Sequence, residues 1–402
     1  MAEFLVKNPT FAQDLLETYG SPLYVYEGDR LRCTLRHITQ AFEYPNTHFH
    51  FASVTNGNVA LLQMIREAGW GLHANTPGDV FLGLTAGFNP AQIVYSGSNL
   101  NAVEMRQLRD WGVTMLNLDS LAQLELCCKI YCTETASIEP DGLRLGLRLN
   151  VPELTGESRI GVHPEEFPAA IALTHQWGLR LTGVHFYRGT GTNATQAFTQ
   201  VIDQVIAIAQ SLPDWRYLDF GGGFGYPYRH GGAAFNWPAF GAEITQALQK
   251  LNRPVELVIE PGRAAIAGCA TLLTRVVSVK WQGDRQIVGT DATVANLSVP
   301  SVHGGYREIR ALSPSHTSTL YSTDVCGNTT YSRDYLGRQC SLPKLEIGDI
   351  LAILDVGAYG YAMSSHFLHR PRPAEVLLEG SSHRLIRQRE DYQVLIRNQI
   401  FV

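Results

Sequence analysis

The sequence predicts an α/β fold, a (β/α)8 TIM barrel followed by a mostly antiparallel β-domain. Two observations predict it: eight short apolar runs alternating with helical periodicity up to about residue 270, and β-rich runs beyond that point. The runs fall at 48–53, 71–75, 93–97, 114–119, 142–150, 181–187, 216–222 and 255–261. Between them lie Asn58–Ala68, Asn101–Trp111, Ser120–Lys129, Pro164–Trp177, Ala194–Ser211 and Trp237–Leu251, each with apolar residues three and four apart, the spacing that gives a helix one buried face. A closed barrel would carry its site at the C-terminal ends of the strands; an open doubly wound sheet is the alternative.

Ahead of the barrel, Thr10–Gly20 reads as a short helix with a Thr start and a Gly stop, and Pro22–Glu27 as a strand with no place among the eight. That strand is expected to join the second sheet. After Ala270 come the runs TLLTRVVSVKW, RQIVGTD, ILAILDVG, AEVLLEG and YQVLIRN, with turns at Gly283-Asp284 and Gly348-Asp349. The expected domains are therefore a barrel over 28–270 and a β-domain made of 1–27 and 271–402.

Composition narrows the function classes. With 402 residues, 45% of them hydrophobic and 17% charged, the chain can bury large cores and has no disordered signature. A net charge of −5 supplies no basic field for nucleic acid or an anionic membrane, and no apolar stretch approaches the roughly 18 residues that a membrane span needs. The N-terminal residues lack an apolar signal core, and the seven cysteines form no C-x-x-C framework, which suits a reducing cytosol. Cys128 and Cys132 share a helix face, but no histidine or second pair completes a zinc site, so no metal is expected.

The stretch Arg216–Gly225 (RYLDFGGGFG) carries the first chemical signal: three glycines remove every Cβ where the strand turns, so backbone N–H groups can close on an anion such as phosphate. A tight strand-to-helix turn without a ligand is the alternative reading of the glycines alone.

Taken in order, Ser21–Tyr26 (SPLYVY), Gly183–Phe186 (GVHF), Leu218–Gly225 (LDFGGGFG), Glu260–Arg263 (EPGR), Cys326, Leu354–Gly360 (LDVGAYG) and Met363-Ser364-Ser365 resemble the pyridoxal-phosphate-dependent amino-acid decarboxylases of the alanine-racemase-like fold. The diaminopimelate decarboxylase pattern is the nearest, with the ornithine and carboxynorspermidine enzymes as cousins, and the likeness runs from residue 21 to about 390. The resemblance implies a phosphate held by Gly221, Gly222 and Gly223 with Tyr359, Glu260 against the pyridine nitrogen, Arg263 on a carboxylate or the phosphate, and Arg148 facing the cofactor. It also implies a homodimer in which Cys326 crosses to the partner's site near the substrate α-carbon.

Several positions depart from the family pattern. Where the family has its Schiff-base lysine, Phe51–Asn56 (FASVTN) places Val54, and the five lysines at 7, 129, 250, 280 and 344 offer no replacement at a barrel strand end. The family's His-x-Gly-Ser is Tyr187–Thr190 (YRGT), which keeps an aromatic face and a hydroxyl, and the acid near the end of the second strand is His73. Val299, His303 and Gly327 stand where the family would hold the distal end of diaminopimelate. The expectation is thus a carbon–carbon lyase acting on another amino acid, with pyridoxal phosphate bound without an internal aldimine and His73, His185 or Cys326 moving protons near neutrality. The alternative is an inactive relative that binds a ligand or a partner subunit on the same scaffold.

Overall fold

The computed structural model describes residues 5, 8–133, 142–189, 191–312 and 319–401. It divides into two compact units: a barrel unit of Arg32–Tyr226 with Ala233–Ala265, and a β unit of Met1–Leu31, Pro227–Gly232 and Ile266–Val402.

In the β unit, strand β1 (Leu23–Glu27) lies in the middle of a nine-stranded sheet. It pairs antiparallel with β10 (Ala270–Gln282), through Leu23↔Leu273, and parallel with β16 (Ala374–Glu379), through Leu23↔Ala374. Alternation explains the placement: Leu23 and Val25 enter a core with Leu273, Ala352, Val376 and Leu378, which the helix Pro9–Tyr19 covers with Ala12, Leu15 and Leu16. Tyr24 and Tyr26 point to the other face and bury their hydroxyls, Tyr26 donating to Glu375 Oε1 at 2.7 Å. The remaining strands are β11 (Arg285–Thr290), β12 (Ile309–Ala311), β13 (Leu320–Cys326), β14 (Tyr335–Pro343), β15 (Ile350–Leu354) and β17 (Ser382–Arg387). A two-residue turn at Gly283-Asp284 joins β10 to β11, Gln282 facing Arg285, with Gly283 at φ +59.

The barrel unit is a closed ring of eight parallel strands, β2 (Thr47–Ala52), β3 (Gly71–Ala74), β4 (Ile93–Tyr95), β5 (Met115–Leu118), β6 (Arg144–Arg148), β7 (Leu181–His185), β8 (Tyr217–Asp219) and β9 (Glu256–Ile259). Closure, with β9 returning to β2 through Phe49↔Ile259, excludes the open sheet. Capping boxes set where several crossover helices begin, at Thr76 with Asp79 and at Asn101 with Glu104, satisfying amides that the helix itself leaves unbonded. Inside the ring, Gly146 of β6 and Gly183 of β7 sit side by side and leave room for the Tyr217 ring of β8. Among the described residues, no helix is long and apolar enough to cross a membrane.

Two elements differ from expectation. YQVLIRN is not a strand: Asp391 caps a 3-10 turn over Tyr392–Leu395 by accepting from Gln393 N–H, and Tyr392 and Ile396 stay exposed, so no buried face rewards pairing. The 194–211 helix breaks into Gln196–Thr199 and Ile202–Ala209. β13 and β14 show no continuous apolar run: β13 buries the polar Thr323 and Asp324 next to Val325, and β14 is interrupted by Gly337, Arg338 and Gln339.

Candidate active site

The C-terminal ends of the barrel strands converge on a buried polar cluster. Its innermost layer begins at Tyr217, whose hydroxyl donates to Asn117 Oδ1 at 2.9 Å. Asn117 then donates through Nδ2 to Asp219 Oδ2 at 2.8 Å and to Ser96 Oγ at 3.1 Å. The second oxygen of Asp219 accepts the Gly221 N–H at 3.0 Å, which pins the strand to the turn that follows it. Each link leaves a polar group satisfied in an interior where an unmade bond costs about 1–3 kcal/mol.

Glu260 sits above this layer, between two imidazoles. Its Oε2 lies 3.3 Å from His185 Nε2, its Oε1 lies 3.5 Å from His73 Nε2, and the two rings stack at 6.4 Å and 19°. One donor atom from each of His185, Asp219 and Glu260 lies within 4.8 Å of the others. Two carboxyls this close in a dry site cannot both ionise. Burial pushes the Glu260 carboxyl up to about 7, and burial followed by the Glu260 charge holds Asp219 well above the carboxylate range, so the pair titrates as a unit. Burial also lowers the imidazoles, His185 to about 4 and His73 well below its ordinary value, where the His185 charge adds to the effect. This corrects the expectation that His73 or His185 titrates near neutrality: both are neutral at pH 7, and Glu260 is the group poised there. Cys326 is corrected likewise, since burial first and the Asp324 and Asp334 charges next push its thiol up to about 11, leaving no thiolate at neutral pH.

The raised Glu260 carboxyl has a measurable consequence. A carboxyl that holds its proton more tightly when folded contributes stability below the ordinary value of 4.5, and this contribution is lost as pH rises through about 7. His185 acts with the opposite sign: its contribution is present above 6.5 and lost as pH falls towards about 4. The comparison with Glu260→Gln isolates the first term. The stability advantage of the native protein over this variant should shrink by up to about 3 kcal/mol between about pH 5 and pH 8 in urea melts, and a pH-independent difference would refute the assignment.

The glycine turn abuts Glu260. Gly221 and Gly223 adopt φ +64 and +95, and a Cβ at Gly222 would stand 2.6 Å from the Glu260 carbonyl oxygen. The Gly221 N–H is already given to Asp219, so the amides left for an anion are those of Gly222 and Gly223, which have no acceptor among the described residues. Thr192 N–H donates to Gly223 O at 3.2 Å and Gly225 N–H to Thr192 O at 2.9 Å, lacing this turn to the loop after β7.

The other expected residues are dispersed across both units. Arg148 ends β6 with its guanidinium 5.1 Å over the Tyr187 ring, and Arg263 opens the short helix Arg263–Ile266 beside Gly191. Thr190 lies outside the described residues. Tyr359, at φ +59, and Cys326, at the end of β13, belong to the β unit. Val54 is 43% exposed on the 3-10 turn Ser53–Thr55 directly after β2, and none of the eight barrel strands contains a lysine. Lys129 and Lys250 lie in or at the ends of crossover helices, Lys280 is in β10, and Lys344 follows β14.

Sequence reasoning missed Asp219, Asn117 and Ser96. A signal existed for the first two, each a lone polar residue interrupting a short apolar barrel strand, where only a satisfied interior network tolerates it.

A family model described as the pyridoxal-dependent decarboxylase, pyridoxal binding domain, matches residues 29–267. A diaminopimelate decarboxylase of Methanothermobacter thermautotrophicus is 32% identical over 96% of this chain and 94% of its own length. The crystal structure of diaminopimelate decarboxylase from Helicobacter pylori complexed with L-lysine superposes with a TM-score of 0.87 at 28% identity, covering 96% of this chain and 98% of that one. The lysine/ornithine decarboxylase from Vibrio vulnificus complexed with cadaverine shares the fold, with a TM-score of 0.80 at 22% identity over 92% of this chain and 96% of that one.

Proposed function

The chain belongs to the pyridoxal-dependent decarboxylase family, and from that premise we propose that it holds pyridoxal phosphate without a covalent bond to the chain and acts on an amino acid other than diaminopimelate. The observation that carries the reading is the buried Glu260, set between His73 and His185 beside the Gly221–Gly223 turn. Four buried atoms there have no hydrogen-bond partner among the described residues, both nitrogens of His73, Nδ1 of His185 and Oε1 of Glu260, and a polar ligand would satisfy them. The residues therefore fit the cofactor at two ends: an anion at the Gly222 and Gly223 amides and a protonated ring nitrogen at Glu260.

When bound, pyridoxal phosphate supplies an electron sink for breaking a carbon–carbon bond. The chain supplies the rest. Glu260, poised near neutrality, would share a proton with the ring nitrogen, and Asp219, fixed by Asn117 and the Gly221 N–H, stands beside it. Arg148, backed by Tyr187, offers a planar fork to a carboxylate. Thr190 and Tyr359 are assigned to the phosphate, Arg263 to the phosphate or the substrate carboxylate, and Cys326, with its proton retained, to a site completed by a second copy. His73 and His185, neutral at pH 7, can each accept one proton.

The substrate reading rests on Val299, His303 and Gly327, which remove an arginine, a tyrosine and an acid from the positions the resemblance assigns to the distal end of diaminopimelate. A second reading, a ligand-binding relative without turnover, is favoured by one observation, the absence of lysine from the barrel strands. A valine cannot provide the amine that family members use to exchange cofactor with substrate.

The test is borohydride reduction of the protein saturated with pyridoxal phosphate, followed by intact and peptide mass spectrometry. Native protein should bind the cofactor and gain no mass on reduction, whereas Val54→Lys should gain one pyridoxyl group at residue 54. A reduced adduct on any native lysine defeats the proposal. Carbon dioxide release from a panel of amino acids then separates the two readings, since the ligand-binding relative releases none.

A further inference from the structure

Within the β unit, a cavity of about 420 Å³ is lined by Arg229, Arg307, Arg333 and Arg338 together with Tyr306 and Tyr335, and no Asp or Glu among the described residues contributes to its wall. On a chain whose net charge is −5, such a concentration of one sign needs a cause. We propose that this cavity binds a small polyanion, a molecule bearing phosphate or several carboxylate groups.

The arginines are held ready for that task. Arg229 stacks 4.2 Å over Tyr306, Arg338 stacks 3.7 Å over Tyr335, and Arg307 stacks 3.8 Å over Tyr228. A guanidinium stacked on a ring engages the aromatic face with its own face, so its N–H donors remain in the plane and point outward, where they match an oxyanion two at a time. Stacking also restricts the long side chain before a ligand arrives, so less entropy is lost on binding.

Arg307 is only 4% exposed, so its field inside the cavity is weakly screened, and its Nη1 donates to the Tyr306 carbonyl at 2.7 Å, which fixes its orientation. Arg229, Arg333 and Arg338 have no carboxylate partner among the described residues. The carboxylate next to Arg333 in sequence, Asp334, is occupied elsewhere: it is buried and accepts the Val294 N–H at 2.7 Å and the Thr329 N–H at 3.1 Å.

The backbone is shaped to the same end. Thr323 pairs with Cys340 and Val325 with Gly337, so Arg338 and Gln339 together face Asp324 in a β-bulge. Gln339 takes φ +52, and its N–H donates to Asp324 Oδ1 at 2.9 Å, which pins the irregularity. Bulges re-aim side chains, and here the residue beside the bend, Arg338, lines the cavity.

The volume lies within the roughly 300–1,000 Å³ range of small-molecule sites, which favours a compact anion over a peptide or nucleic acid. The inference does not depend on the cofactor reading, because every residue it uses belongs to the β unit.

The experiment is calorimetric titration of the full chain with pyrophosphate at low salt, repeated at rising salt and with citrate. The native protein and the double variant Arg333→Ala/Arg338→Ala are compared; both positions are exposed, and urea melts and circular dichroism of the same samples report whether the fold is intact. The proposal expects pyrophosphate binding to weaken about tenfold or more in the double variant while the melt and the spectrum are unchanged, and the salt dependence to flatten. Phosphorus NMR line broadening of pyrophosphate should fall in parallel. Citrate competition would place polycarboxylates in the cavity with phosphates. Unchanged pyrophosphate affinity in the double variant overturns the proposal, as does a lack of measurable binding to the native protein at millimolar pyrophosphate.

Discussion

Gly222→Asp should lower the affinity for pyridoxal phosphate by about a hundredfold or more, measured by absorbance titration of the purified protein. Two effects add. A Cβ at this position would stand 2.6 Å from the Glu260 carbonyl oxygen, so the turn has to move away from the strand end that positions Glu260. A carboxylate would then sit beside the two amides proposed to receive the phosphate, replacing a favourable field with a repulsive one. Gly222→Ala separates the effects, since it introduces the clash without the charge and should lose about tenfold. Native affinity in Gly222→Asp would remove the glycine turn from the proposed site, whereas a loss restricted to the aspartate would assign the effect to charge alone.

Gly183→Ala should destabilise the barrel by about 4 kcal/mol or prevent folding, a large effect for one methyl group. The added Cβ would stand 1.9 Å from Tyr217 Cζ and within 2.3 Å of both ring Cε atoms. The ring cannot yield easily. The Arg144 guanidinium lies 5.0 Å over the ring, and the hydroxyl is bonded to Asn117 at 2.9 Å. Because Asn117 also holds Asp219, displacement of Tyr217 carries through to the carboxyl pair. Urea denaturation checks the stability change. Tyr217→Phe provides the companion measurement: it keeps the packing, removes one buried hydrogen bond, and should cost about 1–2 kcal/mol. Wild-type stability in Gly183→Ala would mean that the ring has another place to go.

Much of the barrel was legible in the sequence because parallel strands buried on both faces must be apolar throughout, and the helices covering them must carry one apolar stripe. All eight strands lie within a few residues of the runs that announce them. Strand β1 was legible for a related reason, as an apolar run outside the alternation of strand and helix. In contrast, β13 buries the polar Thr323 and Asp324 in succession and β14 carries a bulge at Arg338 and Gln339, so neither shows simple alternation, and YQVLIRN has the composition of a strand without a neighbour to pair with.

At the site, residue types were readable one at a time. The glycine turn follows from the order of residues along the chain, since a Cβ is either present or absent, whereas Glu260 and Val54 take their meaning only from the resemblance. What only the tertiary structure decided is the protonation of the cluster. His73, His185, Asp219 and Glu260 come from four different strand ends and become one titrating group only when the barrel closes and removes water from around them. A lone histidine reads as a neutral-pH switch in the sequence, but at 1% exposure His185 is driven to about 4 and the poise near neutrality passes to Glu260. The sequence specifies which groups can bind a proton; the burial and spacing imposed by the closed barrel decide which of them holds it.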